Sequence, residues 1–543
     1  MTFFYKHKYI LILFGLFASA EVIVNPLGEF PLNDDWAYSK SILIWLTEGK
    51  YDIGEWPAMT LFTHLLWGIL FTKAFGFSFF ILRLSTIISS LIGVLTLFKL
   101  VNKISKDELT ALLASLIMLF NPLYFNLTNT YMTDVNFNTL LVLSCYFAFD
   151  FFQSNRFISL VGVFISSIFM VLLRQFGIVI PAAFLLSILF LKNRRWFYLV
   201  VTVCLFSCVL VVFKLYENYL IGSLSPSASY KFSGKINPTN KAFWDAISVN
   251  LQLRYSTLLL HILCYVFPFA FIYLFDQIKI FKWSFVLIII SLGAIASYLV
   301  FSKEYFPYGN VFINMALGAE TFYESLNVDF KNTTVHTYSK AFETIMASVK
   351  YLFTTGTILI IVLGVFKLFR TKLNSYFGNP SVFFFLFLFA LYTVMLLVTE
   401  SYFDRYHLPL ITLGILLLSF LRKIFRATYK VSFFVLVFMF YVSAFGTKDY
   451  LSLNRCKWNA YKELKKSKNI GTDLINGGFE INCWDDGKRS WWHNFLTLDN
   501  YKYLIQYRNE KGFKKYKEIE FQRYFPYKKD KIYIFVKEEE DNN

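Results

Sequence analysis

Charge is what this chain has least of. Only 16% of its 543 residues are Asp, Glu, Lys or Arg, against 56% hydrophobic and 20% aromatic. A water-soluble protein of this length needs far more polar surface, so the shortage excludes that class and leaves a polytopic membrane protein. Cysteine is scarce too, and six residues are too few for a disulfide scaffold. Cys145, Cys204, Cys208 and Cys264 fall inside apolar runs and read as small packing residues. Only Cys456 and Cys483 lie in polar sequence, where they could pair if that segment faces the outside. His64 and His407 have no companions at metal-ligand spacing and read as structural. No internal repeat and no low-complexity tract stands out. The formal net charge of +17 could suit nucleic acid, but the basic residues cluster in short loops between apolar runs. That is the footprint of cytoplasmic loops, and no nucleic-acid partner is expected.

What is present is a series of apolar runs separated by sorted charge. A basic N-terminus precedes the run Tyr9 to Val24, read as an uncleaved first span with its N-terminus inside. The stretch Ala58 to Ala74 carries His64, Trp67 and Lys73 and is barely long enough to cross. If it did cross, the basic loop Asn102 to Lys106 would lie outside. It is therefore expected to be interfacial or re-entrant, with Phe79 to Leu100 as the second span. Further spans are expected over Asp107–Pro122, Val135–Phe152, Phe157–Leu173, Phe176–Leu191, Trp196–Leu215, a run ending at Phe275, Ser284–Phe301, Thr344–Phe366, Ser381–Val398, Leu408–Leu421 and Val431–Phe445. The expected architecture is an all-α polytopic membrane protein of about thirteen transmembrane helices. A transmembrane domain over 1–446 precedes a small α+β or β-rich extracytoplasmic domain over 447–543. The composition, rich in Lys, Phe and Asn, hints at a bacterial plasma membrane.

This threading puts nearly every dense Lys/Arg cluster between spans on the inside and gathers a different set outside. Asp34 and Asp35 stand in the first outer loop (25–78), Asp134 in the second, Arg174 at a helix junction, and Glu400, Asp404, Arg405 and His407 late in the chain. Adjacent carboxylates just outside a span are costly to desolvate and usually have a task. An arginine fork can hold a phosphate bidentately, and a carboxylate can take an acceptor's proton as the bond to that phosphate breaks. Bland alternatives exist at each position. Asn33 or Asp34 could cap a helix over Trp36–Leu46, Asp134 could cap the helix after it, Arg174 could be a structural ion-pair partner, Arg405 could snorkel to headgroups, Arg83 could be an anchor, and Glu400 could simply pair with Arg405.

The motifs themselves resemble a known family. Asn33-Asp34-Asp35-Trp36-Ala37-Tyr38-Ser39 is similar to the first-loop acidic motif of the protein mannosyltransferase and aminoarabinose transferase group, glycosyltransferases of the GT-C fold. Phe79 to Ser85, with Arg83-Leu84-Ser85, resembles their Arg-Leu-x-Ser helix start. Thr133-Asp134 after Asn121-Pro122-Leu123 resembles their second acidic motif, Arg405-Tyr406-His407-Leu408-Pro409 their Arg-Tyr-x-x-Pro element, and Asn476 to Asn482 the tail of some bacterial relatives. The resemblance implies inverting transfer from an undecaprenyl- or dolichyl-phosphate sugar to a lipid, glycan or protein acceptor. It implies Asp34 as the catalytic base, with Asp134 helping to bind the acceptor or orient the site. Asp35 joins them as a catalytic candidate, and Tyr38, Arg83, Arg174, Glu400 and Arg405 are the candidate substrate or phosphate ligands. A re-entrant stretch is expected in that fold as well.

Three positions depart from the family pattern: Trp56 stands where Lys is common, Ala37 where Arg is frequent, and Val135 where Pro is frequent. Arg174 or Arg405 could serve the phosphate instead. No cofactor is expected, although Asp34 and Asp134 could hold a divalent cation with a substrate phosphate. A lipid or glycan transporter and an envelope-assembly scaffold are the alternative classes. The shortage of charge within spans and the lack of repeated halves count against the transporter.

Overall fold

The computed structural model describes residues 2–54, 56–192, 195–223, 283–301, 379–399, 403–420, 429–468, 470–485, 501–507, 509–525 and 527–538, with isolated positions between 241 and 362. The expected spans ending at Phe275 and over Thr344–Phe366 lie largely outside the described residues, as does Cys264. Among the described residues six helices are long and apolar enough to cross a membrane, or seven if one bent pair is a single span. The protein is an integral membrane protein built mainly of helices, with a small sheet near its C-terminus.

Helix α1 (Thr2–Val24) is followed by an extended segment and then α2 (Asp35–Glu48) and α3 (Phe62–Phe75). At 1.5 Å per residue α3 is roughly 21 Å long, short of a bilayer core of about 30 Å. It packs on α2 and α4 instead. Helix α4 (Phe79–Ser105) starts at a Ser78 N-cap whose hydroxyl accepts from the Phe80 and Ile81 amides. Helices α5 (Glu108–Leu119) and α6 (Pro122–Thr128) form the bent pair, meeting at 68°. Pro122 sits at the first helical position of α6, where its missing N–H costs nothing, and the Asn121 side chain accepts from the Leu123 amide. The expected rise over Asp107–Pro122 is thus one broken element.

Helices α7 (Thr133–Ser154), α8 (Phe157–Val171), α9 (Val179–Ile188) and α10 (Arg195–Ser223) follow. Val200, Val211 and Leu215 of α10 face outward, as a lipid-facing helix requires. Beyond them lie α11 (Trp283–Phe301), α12 (Pro380–Val398), α13 (Leu408–Ser419) and α14 (Tyr429–Lys468).

The last span was expected to stop at Phe445. Helix α14 instead runs unbroken for 40 residues through residue 446. Its sequence turns from apolar to amphipathic near Lys448 with no Pro, and the single Gly446, which costs about 1 kcal/mol in a helix, does not end it. Its C-terminal half is the spine of the polar region. Strand β1 (Ile475–Asn476), helix α15 (Phe479–Asp485), β2 (Tyr503–Gln506), β3 (Phe513–Tyr524) and β4 (Tyr527–Lys537) complete the chain. The sheet order is β1-β2-β4-β3, with β1 parallel to β2 and the other pairs antiparallel. Asp449 of α14 fastens the β3–β4 turn, accepting from the Tyr524 and Phe525 amides and from Arg523 Nε at 3.3 Å. Buried residues from α1 through β4 form one continuous hydrophobic cluster, so sheet and helices share a core. Cys456 and Cys483 are both buried and both free.

Candidate active site

The segment between α1 and α2 is held open by cations. Arg83, fully buried on α4, donates to the carbonyls of Pro26 at 2.8 Å and Gly28 at 3.0 Å, and to that of Phe30. From the other side Arg455 of α14 donates to the Leu27 carbonyl at 3.0 Å and to that of Asn25, and Lys462 to the Glu29 carbonyl at 3.3 Å. Arg83 takes the even set of carbonyls and the α14 cations take the odd set. The Glu29 carboxylate meets the start of α4, accepting from Ser78 Oγ at 2.6 Å and from the Phe79 amide at 3.1 Å. Six consecutive backbone acceptors are therefore satisfied by side chains, in a strap that neither helix nor sheet could supply. Arg83 is committed to this strap and does not reach the other charged residues of the site.

At the end of the strap the chain turns sharply. Asn33 adopts a left-handed conformation with φ 52°, which Asn tolerates better than most residues. The turn sends the two aspartates apart. Asp35 is buried, and its Oδ2 accepts from the Tyr131 amide at 2.9 Å. Burial pushes its carboxyl up to about 8, against the pull of that hydrogen bond and of Arg83. Asp34 faces the other way. It occupies the N-cap position of α2 but makes no side-chain cap bond. Its Oδ1 accepts from Trp56 Nε1 at 3.0 Å and its Oδ2 from Arg405 Nη2 at 3.2 Å. The capping alternative for Asp34 fails because both of its oxygens are turned to distant parts of the chain.

Arg405 is the hub. It sits in a 3-10 turn, Asp404–His407, that leads into α13. Its Nε lies 3.8 Å from Asp134 Oδ2, so one guanidinium links the two carboxylates. Asp134 is in the first turn of α7, and its Oδ1 lies 2.9 Å from Arg174 Nη2. The capping alternative fails here too, since Met132 is the N-cap and the Asp134 side chain points at arginines. Arg174, in the turn between α8 and α9, also donates through Nε to Thr133 Oγ1 at 2.9 Å. Burial lowers the tendency of both arginines to hold a proton, but Asp134 acting on Arg174, and Asp134 with Asp34 acting on Arg405, more than reverse it. The Tyr406 ring lies under both guanidiniums at 5.6 Å. Tyr38, one turn after Asp34 on α2, is buried beside this set, and its ring meets that of His64 edge-on at 5.5 Å.

The structure thus brings together Asp34, Asp134, Arg174, Arg405 and Tyr38 from four separated regions, leaves Asp35 and Arg83 at the strap, and does not describe Glu400. The four charged groups carry two negative and two positive charges, so the set is neutral. Asp34 is its most open member, with a side chain 15% exposed against 2% for Asp134, 4% for Arg405 and 9% for Arg174. Both Asp134 oxygens and Arg405 Nε and Nη1 make no aligned hydrogen bond, so charge more than geometry holds the centre and guanidinium donors remain for an anion. Arg405 stands between Asp34 and Asp134, 3.2 Å from one carboxylate and 3.8 Å from the other. Among the described residues no three His, Cys, Asp or Glu side chains gather at metal-binding distance.

Three contributors went unread as site residues in the sequence. Trp56 was visible only as a departure from a familiar lysine. Thr133 and Tyr406 adjoin motif residues, but nothing in their spacing shows which way they point. The loop carrying Trp56 is itself fixed: the Leu61 amide donates to the Leu173 carbonyl at 3.0 Å, Thr60 Oγ1 to that of Val171 at 2.7 Å, and Tyr216 to that of Thr60 at 2.7 Å.

Residues 62–215 match the sequence family of dolichyl-phosphate-mannose-protein mannosyltransferases, a stretch that holds Asp134 and Arg174 but neither Asp34 nor Arg405. The match bears out the resemblance read from the motifs. No curated protein sequence matches the chain. Among solved structures, the chain is similar to ArnT from Cupriavidus metallidurans bound to undecaprenyl phosphate, at 10% identity and a TM-score of 0.43, over 90% of this chain and 76% of that one. It is also similar to apo ArnT from the same organism, at 12% identity and a TM-score of 0.39, over 91% of this chain and 88% of that one. A likeness so distant carries no functional conclusion.

Proposed function

We propose that this protein is a membrane glycosyltransferase that moves a sugar from a polyprenyl-phosphate carrier to a lipid, glycan or protein acceptor on the non-cytoplasmic face, with inversion. The observation that carries the reading is the neutral cluster of Asp34, Arg405, Asp134 and Arg174, with Asp34 on its open side. The family match over residues 62–215 supports it.

The chemistry follows from moving charge through that cluster. An acceptor hydroxyl or amine beside Asp34 gives its proton to the carboxylate as its oxygen or nitrogen attacks the anomeric carbon. The bond from that carbon to the phosphate oxygen breaks, and the carrier phosphate leaves with the electron pair. Protonation of Asp34 removes one negative charge from the neutral set and leaves it net positive just as negative charge grows on the phosphate. Arg405, 3.2 Å from Asp34 Oδ2, is then free to turn its guanidinium toward the leaving group, and Arg174 adds a second fork. Asp134 keeps both arginines in place, and its buried contact with them positions the forks before the donor arrives.

The reading is tested with purified protein in proteoliposomes and a panel of synthetic polyprenyl-phosphate sugars, following release of carrier phosphate. Turnover of at least one donor, dependent on added acceptor, is expected. A folded wild-type protein that turns over none, and instead moves a lipid-linked sugar across the bilayer intact, would overturn it in favour of a transporter.

A further inference from the structure

We propose that Trp56 positions Asp34, and that the C-terminal segment around Phe479 seats Trp56, so that residues remote from the transmembrane core belong to the reaction centre. The inference rests on the assignment of Asp34 as the base.

The indole N–H of Trp56 takes Asp34 Oδ1 at 3.0 Å while Arg405 takes Oδ2 at 3.2 Å. A carboxylate held at both oxygens by donors from different directions has its plane fixed. Without the indole, among the described residues no donor opposes rotation of Asp34 toward the guanidinium, whose fork can donate to both oxygens. A lysine at this position would add a charge next to the base. An indole adds direction and no charge, so the cluster stays neutral.

The indole is itself wedged. Its ring lies 5.8 Å from that of Trp36 and 5.5 Å from that of Phe479, and Phe479 meets Trp36 edge-on at 6.0 Å. Phe479 opens α15, and the sequence Asn476-Gly477-Gly478 before it builds the turn that presents the ring. Asn476 Oδ1 accepts from the Gly478 amide at 3.0 Å and from Asn482 Nδ2 at 2.9 Å, while Asn482 Oδ1 accepts from the Gly477 amide at 3.0 Å. Gly478 has φ +86°, and a Cβ on Gly477 would come within 2.6 Å of Ile481. Lys40 of α2 ties the far end of α15 to the same helix that Asp34 begins, donating to the Cys483 carbonyl at 2.7 Å. The motif in the tail is therefore a support built for one aromatic ring, and that ring bears on the side chain that holds the base.

The test compares Trp56→Phe, Phe479→Ala, Phe479→Tyr, the double variant and Asp34→Asn in the proteoliposome transfer assay, with hydrogen exchange to confirm folding. Trp56→Phe keeps an aromatic ring, though a smaller one, and removes the donor. It is expected to lower kcat by about tenfold or more, as misplacement of a reacting group does, with the donor KM unchanged. Phe479→Ala should lower kcat with the same KM, Phe479→Tyr should restore it, and the double variant should be no worse than Trp56→Phe, since both act through one contact. Wild-type kcat in Trp56→Phe while Asp34→Asn is inactive would overturn the positioning role and leave the base in place. A raised donor KM with unchanged kcat would make Trp56 a substrate contact and also overturn it. Full activity in Asp34→Asn would remove the base and this inference together.

Discussion

Replacing Arg83 with Met should release the strap that leads to the active site while leaving the transmembrane bundle folded. Three carbonyls, those of Pro26, Gly28 and Phe30, lose their charged donor. A buried acceptor left unsatisfied costs about 1–3 kcal/mol. The Pro26 and Gly28 bonds are partly open to solvent, so water can replace much of what they lose. The Phe30 bond is buried and cannot be replaced in that way. Removing the buried guanidinium also removes its own desolvation cost, so the expected net is about 2 kcal/mol. Most of this should appear as local opening, because Arg455 and Lys462 still hold the alternate carbonyls. Hydrogen exchange is the assay. Amides of residues 25–35 should lose more than tenfold protection in Arg83→Met, kcat should fall, and the donor KM should change little. Unchanged protection with a raised donor KM would refute the strap account and return Arg83 to a direct role with the donor phosphate.

Asp134→Ala strands two buried arginines, and breaking a buried pair in this way costs about 3–5 kcal/mol; a Tm equal to wild type in thermal unfolding in detergent would contradict the ion-pair geometry. Asp35 gives a pH signature of definite sign. Its carboxyl is raised from 3.8 to about 8 in the fold, so between those values the folded protein binds a proton that the unfolded chain releases. Stability should therefore fall as pH rises through this window, and Asp35→Asn, which mimics the protonated acid, should flatten the dependence in pH-resolved melts. Glu29→Ala removes the acceptor for Ser78 Oγ and the Phe79 amide at the start of α4; a loss of about 1 kcal/mol, typical of a helix-start acceptor, is expected in denaturant titration, and no loss would contradict that contact.

Much of the architecture is written in long apolar runs, because a helix must satisfy its backbone within the bilayer and the run length then marks the span. That logic places α4, α7 and α12 closely, while α1 begins and α10 ends about two turns beyond the run. It does not show that the helix carries on past Phe445, where the span ends by composition: Gly446 and Thr447 are weak helix formers, and with no Pro there the helix continues as the spine of the polar region. Charge adjacent to spans points to Asp34, Asp134, Arg174 and Arg405 for the same desolvation reason. It cannot separate Asp34 from Asp35, because their opposite directions are set by one left-handed residue, Asn33. Nor can it separate Arg405 from Arg83: both are buried arginines near the first loop, and only the fold shows that one meets carboxylates and the other meets carbonyls. Trp56 is the least legible, since its role depends on a hydrogen bond across 22 residues and on a ring more than 400 residues away.

The most direct measurement is the initial rate of sugar transfer by Asp34→Asn and Asp35→Asn, side by side with wild type in proteoliposomes at neutral pH. The account predicts that Asp34→Asn loses transfer while binding donor, and that Asp35→Asn, whose buried oxygen can still accept from the Tyr131 amide, keeps most of it. Loss in Asp35→Asn with activity retained in Asp34→Asn would contradict the assignment of the base.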